Sequence, residues 1–435
     1  MQNDLQKQHY QNCIAFIIIY TLTGIMVGLI YDILITYLMT ISPDTAKGMA
    51  SYMGAAAFAA SALTAMVPKI GYKKIMIAAP LTMAAALVLI SYSINNWLIN
   101  IAVFCLITGA TVFDVILAPY IATYTTTADR TSFFTKTSYS NVVGIILGTL
   151  IGGPMTVWIF SKKLSMSYYQ AKLLTSNIKS LNFEQLSNYI ASYRTILLGF
   201  ALISILILIP LLFIKESADD YKTEPKTENS KINSLSPLLS KYVVLFLVYT
   251  VLGRFAASLI APNVSVYLTD IGIDRATVSL LGMLQYTAIL ILMPFAAKIA
   301  GKFGQVNTVA FICLVSVPFM IVLANGYNYG NNTELIVGSA LFFRSGLANT
   351  TIPVINSLTM ELVSKNHRAL YASLVFVAQG LAQISAGVFA KYYLFNTAHG
   401  YASAYYYAAG LYIVAHVMLF AVFTKKYNRT QDLPC

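Results

Sequence analysis

Mostly apolar stretches of about twenty residues or more recur along the whole chain, near 12–39, 48–67, 75–95, 97–124, 138–160, 195–214, 242–268, 276–299, 307–326, 335–361, 370–394 and 401–424. A hydrocarbon layer of about 30 Å takes about 20 residues of helix to cross, so the pattern predicts twelve membrane spans. Prolines inside them (Pro119, Pro210, Pro262, Pro294 and Pro353) predict kinks, because neighbouring helices in a bundle can satisfy the freed carbonyls. The first ten residues are polar. The apolar run behind them, Cys13 to Met39, is longer than a signal-peptide core and has no small-residue cleavage site after it, which predicts a retained first helix.

Two longer hydrophilic stretches interrupt the series. From Lys215 to Lys241 the chain mixes Glu, Asp, Lys, Ser, Pro and Thr with almost no large apolar residue before Leu235, the composition of a flexible linker. It divides the chain into an N-terminal six-helix bundle (1–214), a linker (215–241), a C-terminal six-helix bundle (242–424) and a short tail (425–435). The other stretch, Ser161 to Arg194, places Leu174, Ile178, Leu181, Tyr189, Ile190 and Tyr193 at roughly helical spacing among lysines. That is the pattern of an amphipathic interfacial helix or of a loop with some helix.

The two halves resemble each other. Tyr20, Thr21 and Gly24 before Tyr37 and Leu38 match Tyr249, Thr250 and Gly253 before Tyr267 and Leu268. Asp129 and Arg130 ahead of a glycine-rich span mirror His367 and Arg368 ahead of the span with Gly380 and Gly387, and Gly71 after Lys69 mirrors Gly304 after Lys302. Duplicated six-helix units are what alternating-access transporters are built from.

Composition agrees with the pattern: 58% of the 435 residues are hydrophobic and 10% charged, too few polar side chains to solvate a globule of this size. The net charge of +12 is spread over many short loops, which points to membrane topology and away from nucleic acid. Eighteen lysines and arginines fall on the side of the two termini and eight on the other, with Ser161–Arg194 the main exception, so both termini are expected in the cytoplasm. Cys13, Cys105, Cys313 and Cys435 are too scattered for a disulfide framework or a metal site. No metal-ligand pair, nucleophile elbow or phosphate-binding glycine loop with lysine stands out, so neither an enzyme, a cofactor nor ATP-driven transport is expected.

The run Thr64-Ala65-Met66-Val67-Pro68-Lys69-Ile70-Gly71-Tyr72-Lys73-Lys74, with Lys302 and Gly304 as its counterpart in the second half, resembles the basic, glycine-containing loop between spans two and three, repeated between eight and nine, of the major facilitator superfamily. Thr64 stands where that family has its first glycine and Pro68 where it has aspartate. The resemblance covers nearly the whole chain and implies an all-α membrane protein, two pseudo-symmetric bundles of six helices, monomeric, in the inner or plasma membrane. It also implies that Lys69, Gly71, Lys73, Lys302 and Gly304 serve a cytoplasmic gate. Drug-exporting members carry an arginine four residues before a glycine in span four, where this chain has Cys105 before Gly109; their glycine-proline pattern in span five is matched only in part by Gly144, Gly148, Gly152, Gly153 and Pro154.

Ionisable residues inside spans are costly and tend to be functional. Here they are Asp32, Asp114, Arg254 and Arg344, in spans one, four, seven and ten, which the resemblance implies line the central cavity. Thr21, Gly24, Gly28, Asp32 and Thr36 share one small, polar helix face that could admit water or substrate. Carboxylates of the first half and guanidiniums of the second would then meet a zwitterionic solute, with Asp32 the first choice for alternately loading a proton and a substrate cation. The alternative is that the charges pair as interhelical salt bridges and touch no substrate. Glu361 reads as a gate or interface residue and His416 as a packed histidine. Tyr31, Tyr120, Asn349 and Asn356 are further candidates for the cavity wall. The expected function is gradient-driven, proton-coupled transport of a small polar, charged or zwitterionic solute by alternating access, with partners limited to that solute, protons and membrane lipids. Efflux of lipophilic cationic drugs and lipid flipping are the alternatives.

Overall fold

The computed structural model describes residues 2–125, 130–220, 240–363 and 368–428. The bulk of the 215–241 linker, the tail beyond residue 428, and Asp129 and His367 of the internal repeat lie outside the described residues. Among the described residues, eleven helices are long and apolar enough to cross a membrane: Gln8–Ile41, Tyr72–Tyr92, Asn96–Tyr124, Ser132–Lys163, Phe183–Phe213, Lys241–Asp270, Arg275–Phe303, Gln305–Ala324, Gly330–Glu361, Tyr371–Leu394 and Gly400–Tyr427. The helix Met49–Thr64 completes twelve; it stops short because Ala65 and Met66 turn the chain into the single helical turn Val67–Ile70. These are spans one to twelve below, with Met49–Thr64 as span two. Large side chains such as Leu212, Phe213 and Phe311 stay about 70% exposed, as expected of surfaces that lipid covers.

The chain divides into two compact units, residues 1–226 with 264–283, and residues 227–263 with 284–435. The same helix neighbours recur in both. In the first unit span one packs on five, three on four, and three on six; in the second, seven packs on eleven, nine on ten, and nine on twelve. The glycines that open spans three and nine share one backbone geometry, φ 88° and ψ 161° at Gly71, φ 85° and ψ 156° at Gly304, in the region that favours glycine. Duplication in the sequence is thus duplication in space.

Two of the kinks follow proline closely. Span seven passes through the short 3-10 turn Ala261–Asn263 at Pro262, and span ten breaks at Thr351 before Pro353. Spans four and eight run unbroken through Pro119 and Pro294. Residues 161–194 are not one interfacial helix. A helix over Tyr168–Leu174 and a 3-10 turn over Ile178–Ser180 are followed by span six, which Asn182 caps at its start, so Tyr189, Ile190 and Tyr193 belong to a span, and the two tyrosines are fully buried. The apparent helical spacing across the stretch came from two separate helices.

The small face of span one is a packing seam. A methyl group on Gly24 would lie 2.2 Å from the Asn141 carbonyl oxygen, and one on Gly144 would lie 2.0 Å from that of Thr21. Spans one and five therefore touch backbone to backbone, and the face expected to admit water or substrate is closed by span five.

Candidate functional site

Asp32 sits in a π-helical turn, Ile30–Leu34, that interrupts span one. Such turns re-aim a side chain and frequently occur at functional sites. Its carboxylate is 1% exposed and pairs with Arg275, itself 1% exposed at the first residue of span eight. Ser265 Oγ donates to Asp32 Oδ1 at 2.9 Å, Ser279 Oγ donates to Oδ2, and Arg275 Nη2 reaches Ser279 Oγ at 2.9 Å. Both carboxylate oxygens are thus engaged, as a buried charge requires. Around the pair, the Tyr189 and Tyr193 hydroxyls lie 2.9 Å apart, and Tyr193 donates to Thr36 Oγ1 at 3.3 Å.

Arg275 is held there by its own turn and by the 161–194 segment. Asp274 Oδ1 accepts from the backbone N–H groups of Ala276 and Thr277, both at 3.0 Å, an N-cap that starts span eight. Arg275 N donates to Thr175 Oγ1 at 3.0 Å, and Lys172 Nζ lies 3.4 Å from Asp274 Oδ2. Arg275, just ahead of the apolar stretch 276–299 and so one of the eight basic residues assigned to the loops opposite the termini, is in fact the deeply buried charge partner of Asp32.

Asp114 is different. It lies mid-way along span four, remains exposed, and accepts one hydrogen bond, from Tyr20 Oη at 2.6 Å. Among the described residues no ion pair reaches it. A mid-span carboxylate left uncovered by protein and free of a fixed counter-charge among the described residues can gain and lose a proton, and Tyr20 can remain bonded to either form.

In the second unit Arg254 is exposed in the middle of span seven and donates from Nη2 to Gln383 Oε1 of span eleven at 3.3 Å. Arg344, in span ten, is 4% exposed and lies near the buried Tyr412 side chain of span twelve, while its buried Nε has no hydrogen-bond partner among the described residues. Within its own unit, Asp32 holds Arg275, Asp114 meets Tyr20, and Arg254 meets Gln383.

The gate-motif residues take up helix-end positions. Past Gly71, the Glu216 carboxylate accepts from the backbone N–H of Tyr72 at 2.6 Å and of Lys73 at 3.2 Å, capping span three, while Lys73 Nζ donates to the Ile214 carbonyl at 2.7 Å, capping span six. Burial raises the Glu216 carboxyl above its usual 4.5, and the two backbone donors act against that rise. In the second unit Asn428 takes the equivalent place, accepting from Asn307 N at 3.1 Å and donating to the Phe303 carbonyl at 3.0 Å beside Gly304. Glu361 accepts from Gln305 Nε2 at 2.8 Å, which ties the end of span ten to the start of span nine. Lys302 lies over the Phe303 ring, and Lys69 closes the short turn before Gly71.

Among the remaining candidates, Tyr120 is a core ring: fully buried, stacked on Phe16, and donating to the Asn12 carbonyl at 3.3 Å. The Tyr31 carbonyl accepts from Ser265 at 3.2 Å. Asn349 is half-buried and donates to the Ser345 carbonyl at 2.9 Å, and Asn356 is exposed. His416 packs in span twelve between Tyr249 and the Tyr412 carbonyl. No cluster of metal-ligating side chains occurs among the described residues.

Residues 246–433 match the family model for the Major Facilitator Superfamily. No curated protein matches the sequence. Solved transporters match the fold over nearly the full length. The inward-open xylose transporter XylE from E. coli aligns at TM-score 0.68 and 15% identity, over 97% of each chain. The nucleoside transporter NupG aligns at 0.67 and 12%, over 95% of this chain and 99% of that one. A variant of the E. coli fucose:proton symporter FucP aligns at 0.57 and 14%, over 95% and 98%. Residues 246–433 thus carry the sequence pattern of the Major Facilitator Superfamily, and the chain as a whole takes the repeated six-helix membrane fold of these solved transporters.

Proposed function

We propose that the chain is a proton-coupled transporter that moves a small polar, charged or zwitterionic solute by alternating access, with both termini in the cytoplasm. The observation that carries this reading is Asp114: a mid-span carboxylate, uncovered by protein, held by Tyr20 and unpaired with any cation among the described residues. A carboxylate fixed in an ion pair exchanges its proton only after losing its partner; one without a fixed counter-charge does not face that barrier. Asp32, with both oxygens engaged by Arg275, Ser265 and Ser279, acts in this reading as a latch, and Asp114 as the proton carrier. Two proteins that share this fold, a D-xylose–proton symporter and a fucose:proton symporter, are consistent with such coupling.

The test is uptake by proteoliposomes from a defined mixture of amino acids, dipeptides, sugars, nucleosides and organic anions, with contents read by mass spectrometry with and without an imposed pH gradient. Accumulation of one class above its external concentration, dependent on the gradient and absent in Asp114→Asn, is the expected result. Gradient-independent equilibration of every solute would refute proton coupling.

A further inference from the structure

The second half of the chain carries an imbalance of charge. Between residues 241 and 427 its acidic residues are Asp270, Asp274, Glu334 and Glu361, all at span ends, whereas Arg254 and Arg344 sit near the middles of spans seven and ten. A guanidinium at that depth needs a counter-charge or a full set of acceptors. Neither arginine has an ion-pair partner among the described residues, and the buried Nε of Arg344 has no acceptor among them. The buried Tyr412 side chain lies within electrostatic reach of both arginines, Arg344 the nearer. Gln383 offers Arg254 one neutral oxygen, which does not cancel its charge.

We propose that this cluster in the second unit binds an oxyanion group, carboxylate or phosphate, of the transported solute. Arg344 is the principal ligand, and Arg254 supplies the second positive charge from its exposed position. The assignment rests on the transport reading above and adds the chemical class of the solute. A guanidinium is suited to it: the planar fork meets two oxygens at once, and an Nε–H without an acceptor is the donor that such an anion satisfies. The mid-span depth of both arginines places the site away from lipid headgroups and so favours a small solute.

The experiment is thermal unfolding of the purified full chain in detergent with sodium phosphate or succinate against sodium chloride at equal ionic strength. D-xylose serves as a neutral control and short-chain phosphatidylglycerol as a lipid control. Phosphate or succinate should raise the unfolding temperature specifically; at about 100 times Kd the unfolding equilibrium shifts by about 100-fold. Arg344→Gln and Arg254→Gln should lose or weaken the shift. Arg344→Lys, which keeps the charge without the fork, should bind about tenfold more weakly and guards against misfolding of the Gln variant.

No anion-specific shift, a shift retained in Arg344→Gln, or a shift caused only by xylose or only by the lipid would overturn the proposal. Asp114→Asn should keep the anion response. If anions fail to bind while gradient-driven uptake persists, the anion site falls and proton coupling stands; anion binding without gradient-dependent uptake gives the reverse.

Discussion

Replacing Asp32 by Asn removes the anion from a pair in which each partner is only 1% exposed. Arg275 then keeps Ser279 as an acceptor but has no counter-charge, and its Nε and Nη1 already lack partners among the described residues. Removing one member of a buried pair costs about 3–5 kcal/mol, or about two to three and a half powers of ten in the unfolding equilibrium. Arg275→Gln should cost less, because Ser265 and Ser279 still donate to the remaining carboxylate. The double variant places two neutral amides in the same space, so its loss should fall short of the sum by about 2–3 kcal/mol. Scanning fluorimetry of all four proteins at one fixed rate measures this, ranking Asp32→Asn lowest and the double variant above it. An Asp32→Asn protein that melts with the wild type, or a double variant that loses the full sum, would refute the buried pair as a stabilising latch.

Other outcomes follow from the same geometry. Gly144→Ala drives a methyl to 2.0 Å from the Thr21 carbonyl and should destabilise by about 1–3 kcal/mol or more, whereas Gly199→Ala meets nothing within 4 Å and should be neutral or slightly stabilising; thermal melts of the two compare them directly. Glu216 has a folded-state pKa raised by burial, so its contribution to stability is fully present below the unfolded value near 4.5 and is lost as pH rises through the folded value. The stability of wild type relative to Glu216→Gln should therefore increase as pH is lowered through that window; a difference that stays flat or shrinks would show that capping of span three outweighs burial. Tyr20→Phe removes the hydrogen bond to Asp114 and should shift the pH profile of transport while leaving the fold intact, which circular dichroism and the transport pH profile can separate.

The twelve spans are legible in the sequence because the bilayer demands a fixed apolar length, and the halves are legible because Tyr20 and Tyr249, or Gly71 and Gly304, recur at matching places. The partner of Asp32 is not. Arg275 sits 243 positions away at a span boundary, where apolar length cannot tell a loop cation from a buried one. One local signal was available: Asp274 ahead of an apolar run is an N-cap, which places Arg275 inside the helix. The face with Gly24 and Gly28 misleads for a physical reason, since small residues suit both a water-lined passage and a tight helix crossing, and only the position of Gly144 and Gly148 opposite them decides. The π turn around Asp32 and the reach of Glu216 back to span three are tertiary outcomes that local pattern does not encode.

Proton-driven transport through Asp114 is tested most directly with a solute identified by the uptake mixture. Wild type and Asp114→Asn in proteoliposomes are compared for uphill accumulation under an imposed pH gradient and for solute exchange with no gradient. The predicted result is a variant that has lost accumulation but still exchanges, with wild-type accumulation abolished by a protonophore. A variant that accumulates solute to the wild-type ratio, or a wild type indifferent to the protonophore, would contradict it.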